Sequence, residues 1–237
     1  MSDITILIQG PVNSISLNNI DVYKQYGDVI VSCWEDEKTS MIPPEVERYV
    51  YPLPDISLTT GTAPNSTFYW AVCSMDNGFK EVQTPYVIKT RSDEQFKNLN
   101  PFIERFMKNK ELFVCGNIFA KPWAIEPYHI GDHIFMGQTH LLLKGVDYLR
   151  RMYEKKTPLK EWAHQGPHTA EEILAYSYLF AKNIDEGSWP SHKTYLNNFG
   201  VVDINRTEKF LVAHQHVKAF WEDKFINPWG VSDVGGE

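Results

Sequence analysis

"ITILIQGPVNSISLNNIDVYKQYGDVIVSCW" (residues 4–34) carries the architecture of this chain. It opens with an apolar run that stops at Gly10-Pro11. A short apolar run bounded by breakers reads as a buried strand, and the lack of alternation suits a parallel sheet covered on both faces. Residues 17–27 place Ile20, Tyr23 and Lys24 at helical spacing and reach a glycine at 27, a common helix stop. "DVIVSCW" (28–34) is a second strand. Strand, helix and strand in so short a span form a βαβ unit.

The pattern continues beyond this unit. Residues 35–55 are polar and proline-rich, a loop with a short strand expected at "RYVYPL". Residues 63–83 are expected to be helical, with Phe68, Val72 and Met75 on one stripe and Asn77-Gly78 near the end. "YVIKTRSDEQF" (86–96) starts as a strand and becomes a knot of charge. A helix is predicted from Pro101, then a strand at 112–119, a short strand and helix within 129–156, and a helix at 168–183. The tail from Glu208 reads as a strand followed by turns. Strands alternating with helices predict an α/β sandwich, a mostly parallel sheet flanked by helices. No repeat or linker divides the 237 residues, so a single domain, 1–237, is expected.

Composition narrows the function classes. With 43% apolar and 22% charged residues the chain reads as globular protein. No stretch reaches the roughly 18–20 apolar residues of a membrane span, which leaves peripheral association as the only membrane contact to expect. The opening "MSDITILIQGPV" has no basic region ahead of its apolar run and is read as a natural amino terminus without a secretory signal, hence a cytoplasmic location. Cys33, Cys73 and Cys115 are odd in number and far apart, which argues for buried reduced thiols and against zinc. A net charge of −7 with no basic stripe argues against nucleic acid. The 13 Phe, 12 Tyr and 7 Trp suit sugar rings and nucleobases, and suit a core equally well.

In open α/β sheets ligands bind beyond the carboxyl ends of strands. Three such ends carry candidates: Gln9-Gly10-Pro11, Trp34-Glu35-Asp36, and Lys89 through Glu94. Alternation in an extended chain points Lys89, Arg91 and Asp93 to one side. Arginine grips phosphate with paired donors, lysine supplies a point charge, and a carboxylate among phosphate oxygens holds Mg²⁺ or Mn²⁺. That trio fits a nucleoside diphosphate. A solvated strand end is the bland alternative.

The ordered set Gln9-Gly10-Pro11, Ser32-Cys33-Trp34, Gly78, Lys89-Thr90-Arg91-Ser92-Asp93, and Asp132 with Gly137 resembles the WavE lipopolysaccharide-synthesis family over roughly residues 4–180. Those are glycosyltransferase-like proteins of bacterial surface-polysaccharide clusters, with relatives in large algal viruses. The resemblance implies a GT-A-like fold in which a nucleotide sugar lies across the strand ends and a D-x-D motif holds a metal ion. Here Arg91 stands in place of the first acid, leaving Asp93 as the metal-side carboxylate and putting metal dependence in question.

The remaining candidates each carry two readings. Gly10 lets backbone approach a nucleotide, or only turns the chain. Trp34 stacks on a base, or packs in the core. Asp36 or Glu37 accepts from base or ribose, or is a loop acid. Asp132 in "GDHIFMG" holds a sugar hydroxyl, or forms a turn. Thr169 and Glu172 make a capping box, which leaves Glu171 to serve as general base or merely to complement the helix dipole. His214 and His216 share a strand face, and His216 is the candidate to complete a metal shell, as a late histidine does in some GT-A enzymes.

The expectation is a glycosyltransferase that takes a nucleotide sugar as donor and a surface polysaccharide or glycoprotein glycan as acceptor, assisted by Mn²⁺ or Mg²⁺. The alternative is a non-catalytic carbohydrate- or sugar-nucleotide-binding module. A nucleotidyltransferase ranks below both, because its glycine-rich basic loop after the first strand is missing.

Overall fold

The structure, a computed structural model, describes residues 2–35, 37–55, 66–118, 128–155, 169–184, 192–207 and 210–212. The chain runs β1 (Ile4–Gln9), α1 (Ser14–Tyr23), β2 (Asp28–Trp34), β3 (Glu47–Tyr51), α2 (Ser66–Glu81), β4 (Tyr86–Arg91) and β5 (Glu94–Phe96). It continues with α3 (Asn100–Lys108), β6 (Phe113–Gly116), β7 (Phe135–Gln138), α4 (Thr139–Glu154), α5 (Ala170–Ala181), α6 (His192–Asn198), β8 (Phe199–Val202) and β9 (Phe210–Val212).

Seven of these strands form one sheet in the order β3-β2-β1-β4-β7-β6-β8. All pairings are parallel except those of β7, which is antiparallel to both neighbours. The expected α/β, mostly parallel mixed sheet flanked by helices is therefore present, and it is compatible with a Rossmann-like fold. Strands β5 and β9 pair separately.

Side-chain alternation divides the core. Leu7, Val87, Phe113 and Phe135 face one way and pack with Val72 of α2, Leu142 of α4 and Ile173 of α5. Ile6, Ile8, Ile88, Val114 and Met136 face the other way, against Ile20 and Tyr23 of α1 and Phe102 and Phe106 of α3. Both sheet faces are covered, which is why β1 reads as a continuous apolar run. At about 25 cal/mol per Å² of apolar surface, each fully buried side chain of this kind contributes about 1.5–3 kcal/mol.

Several boundaries differ from expectation for identifiable reasons. Helix α1 begins at Ser14, not 17, because Asn13 caps it: its Oδ1 accepts from the Ile15 and Ser16 amides, and its own amide donates to Ser16 Oγ. Helix α2, expected over 63–83, is Ser66–Glu81 and passes through Asn77-Gly78 near its end. A β-carbon on Gly78 would lie 2.8 Å from the Leu7 methyls, so this glycine lets the helix lie close on the sheet. The strand expected at 112–119 is Phe113–Gly116, and the one expected at 48–53 is Glu47–Tyr51. The antiparallel direction of β7, and α6 with β8, were not legible. Cys33, Cys73 and Cys115 are buried, as expected, and among the described residues none is in a disulfide. Among the described residues no helix is long and apolar enough to cross a membrane.

Candidate functional site

Where the chain leaves β1 it turns toward α1 and β2 on one side, while β4 lies on the other. This is the kind of divergence at which α/β proteins bind ligands. The rim is knitted by backbone: Gln9 pairs with Arg91, the Ser92 amide donates to the Gln9 carbonyl (2.8 Å), and the Gly10 amide to the Ser32 carbonyl (3.0 Å). Gly10 sits at φ 123°, and a β-carbon there would meet Ser92 Oγ at 2.6 Å. Only glycine satisfies both constraints.

A cavity of about 200 Å³ opens at this rim. Its wall includes Gln9, Gly10, Pro11, Trp34, Lys89, Arg91, Asp93 and Asp132, all candidates named from sequence. Helix α2, from which the sequence singled out only the stripe of Phe68, Val72 and Met75, supplies a further part of the wall, notably Trp70 and Ser74. The indole of Trp70 is held by its Nε1–H donating to the Pro54 carbonyl at 3.1 Å. Gln9 Nε2 donates to the Ala71 carbonyl at 3.0 Å, tying this helix to the rim.

Asp132 arrives through the reversal of β7. Because Phe135 pairs antiparallel with Lys89, the residues that lead into β7 lie beside those that leave β4. Lys89 Nζ donates to the Asp132 carbonyl at 2.8 Å and lies 5.3 Å from the Phe135 ring centroid. Burial pulls the Lys89 ammonium down to about 8, against the attraction of Asp132. Burial works to raise the Asp132 carboxyl, but His133, Lys89 and Arg91 together hold it below the usual carboxylate range.

Arg91 grips Asp93 with both arms, Nε to Oδ1 and Nη2 to Oδ2, each at 2.9 Å. Burial opposes the charge of Arg91, and this pair with Glu94 more than restores it. Beneath lies a buried pair that sequence reasoning left unassigned: Glu94 Oε1 bonds His133 Nδ1 and stands 3.5 Å from Arg91 Nε. Burial works against the imidazolium, yet Glu94 and then Asp132 raise the His133 pKa. His133 Nε2 is 3.6 Å from Asp132 Oδ1, so one imidazole links the buried Glu94 to the cavity wall. Helix α1 fixes this arrangement, since Asn19 Nδ2 donates to the Glu94 carbonyl at 2.6 Å.

Glu172 is bound into the predicted capping box with Thr169. Glu171 is instead turned toward His129, 3.7 Å from its Nε2, with a side chain only 18% exposed. Burial, then the negative charge of Asp132, pushes the Glu171 carboxyl up to about 7. It stands outside the cavity wall formed by the described residues yet within electrostatic reach of it. The side chains of Asp36, Glu37, His214 and His216 lie outside the described residues.

Asp93 and Asp132 are hard oxygen donors on one cavity. That donor set fits Mg²⁺ or Mn²⁺, which bind through one or two carboxylates with substrate phosphates completing the shell. Among the described residues no three His, Cys, Asp or Glu side chains form a site of protein ligands alone. Compared with known proteins, the chain matches no family model and no curated sequence.

Proposed function

We propose that this protein is a glycosyltransferase that moves a sugar from a nucleoside-diphosphate donor to a glycan acceptor. One observation carries the reading: the ends of three parallel strands and the approach to β7 meet at a cavity lined by Lys89, Arg91, Asp93 and Asp132 together with Trp34 and Trp70. Cations that match phosphate, indoles that offer flat faces to a base or sugar, and carboxylates that accept sugar hydroxyls suit a nucleotide sugar better than any of its parts.

Lys89 and Arg91 bind the diphosphate and stabilise the charge that grows on it as the bond to the anomeric carbon breaks. Asp132, held ionised by His133, accepts a hydroxyl of the donor sugar and orients the ring. Trp34 and Trp70 flank the base and exclude water from it. In an inverting transfer the acceptor oxygen bonds to the anomeric carbon, the nucleoside diphosphate departs with the bonding pair, and the acceptor proton passes to Glu171. A carboxyl that ionises near neutrality is suited to that task. A divalent ion on Asp93 would add positive charge at the leaving diphosphate.

The test is purified protein with UDP- and GDP-sugars and Mn²⁺, following release of nucleoside diphosphate. Sugar transfer or slow donor hydrolysis is expected, and Asp93→Ala is expected to abolish it. An Asp93→Ala protein that turns over like wild type removes the metal assignment, and binding without any turnover makes the chain a binding module.

A further inference from the structure

Two buried polar atoms in the cavity wall have no role inside the fold. Gln9 and Ser74 are 8% and 2% exposed, and among the described residues neither Gln9 Oε1 nor Ser74 Oγ has a hydrogen-bond partner. A buried polar atom left unpaired is costly, so one beside a cavity marks where a guest supplies the missing partner. What each atom offers follows from its neighbours. The Ala71 carbonyl can only accept, so the nitrogen of the Gln9 amide faces it at 3.0 Å and the unpaired end is an acceptor. Ser74 takes the Ser32 hydroxyl on its carbonyl at 3.1 Å and keeps its own hydroxyl, which can donate. Gln9 ends β1, whereas Ser74 lies on α2 one turn beyond Trp70, so the two atoms belong to opposite walls. The surface around them is flat and apolar, with Trp34, Phe68, Trp70 and Met75.

We propose that this end of the cavity selects a nucleobase with a lactam edge, a ring N–H beside a carbonyl: Gln9 Oε1 accepts from the ring N–H and the Ser74 hydroxyl donates to the carbonyl. The inference rests on reading the cavity as a donor site, and it specifies which bases that site takes. Uracil and guanine carry this edge. Cytosine and adenine present a lone pair in place of the ring N–H, so two acceptors would face each other at Gln9, and that repulsion is what discriminates. Strand order suits the assignment. Strand β1 lies between β2 and β4, so Gln9 stands between the indole of Trp34 and the cations Lys89 and Arg91. A base held at Gln9 and Ser74 therefore has its phosphates' partners on the neighbouring strand.

Calorimetric titration of the whole protein tests this with UDP, GDP and CDP in one Mn²⁺ buffer, and with the diphosphates of N3-methyluridine and N1-methylguanosine, which lack the ring N–H. UDP or GDP is expected to bind about tenfold or more tightly than CDP, and the preferred one to lose about the same factor on methylation, which also tells uracil from guanine. Ser74→Ala is expected to weaken the preferred nucleotide more than CDP. Gln9→Met is expected to bind the preferred nucleotide and its methylated form alike. Should that variant loosen α2 by losing the Ala71 contact, the methylated ligands on wild type and Ser74→Ala still carry the test. Equal affinity of wild type for UDP, GDP and CDP, or methylated nucleotides that bind as well as their parents, overturns the base assignment and leaves the donor-site reading standing. Absence of binding by every nucleotide overturns the two together.

Discussion

Arg91 and Asp93, two positions apart on one strand end, face each other through two hydrogen bonds of 2.9 Å at the mouth of the cavity. The pair is part of a larger balance. Removing the cation leaves Asp93 and Glu94 as adjacent carboxylates, one of them fully buried. Arg91→Ala is expected to destabilise the fold by about 1–3 kcal/mol in urea denaturation at pH 7. Arg91→Lys should recover only part of this, because an ammonium cannot reproduce the paired donors.

Lys89 predicts a pH dependence. Its ammonium is held near 8, so nucleotide affinity should fall as pH rises through about 8. The sign for stability is opposite. Between about 8 and 10.5 the unfolded chain binds a proton that the folded protein has released, so stability rises with pH there. Lys89→Met should therefore weaken nucleotide binding at pH 7 while stabilising the fold by about 1–3 kcal/mol, a gain that fades toward pH 10.5. Melting curves across pH check both limbs.

Glu171 behaves the other way. Its carboxyl is raised from 4.5 to about 7, so the folded protein keeps a proton that the unfolded chain has lost. That contribution is fully present below pH 4.5 and is lost as pH rises through 7. Glu171→Gln should match wild type in stability near pH 4 and exceed it at pH 8. If Glu171 is the base, turnover rises with pH through about 7, and the glutamine variant loses about 10²–10⁴-fold in rate together with that limb.

Gly10 predicts a structural cost at the same rim. Gly10→Ala forces a β-carbon into φ 123° and to within 2.6 Å of Ser92 Oγ. A loss of about 1–3 kcal/mol is expected, read by chemical denaturation, with weaker nucleotide binding as the Gln9–Ser92 contact shifts.

Much of this rim was legible because a parallel sheet confines its ligand-facing groups to short, recognisable positions. Gln9, Lys89, Arg91 and Asp93 follow apolar runs whose ends are marked by glycine, proline or a burst of charge. Trp70 was hidden because a helical stripe looks alike whether it faces core or cavity. Glu94 and His133 were hidden for a deeper reason. They stand 39 residues apart, and their meeting depends on β7 running against its neighbours, which long-range pairing decides and local pattern does not.

The reversal of β7 also sets two kinds of support side by side. Lys89 is pinned on one edge by Leu7 and on the other by Phe135, whereas Asp132 hangs from a connecting segment that has yet to join the sheet. The Lys89 ammonium nonetheless ends on the Asp132 carbonyl, so its backbone belongs to the sheet and its charge answers to the segment. Rewriting that segment would keep the strand in register while resetting where the ammonium lies.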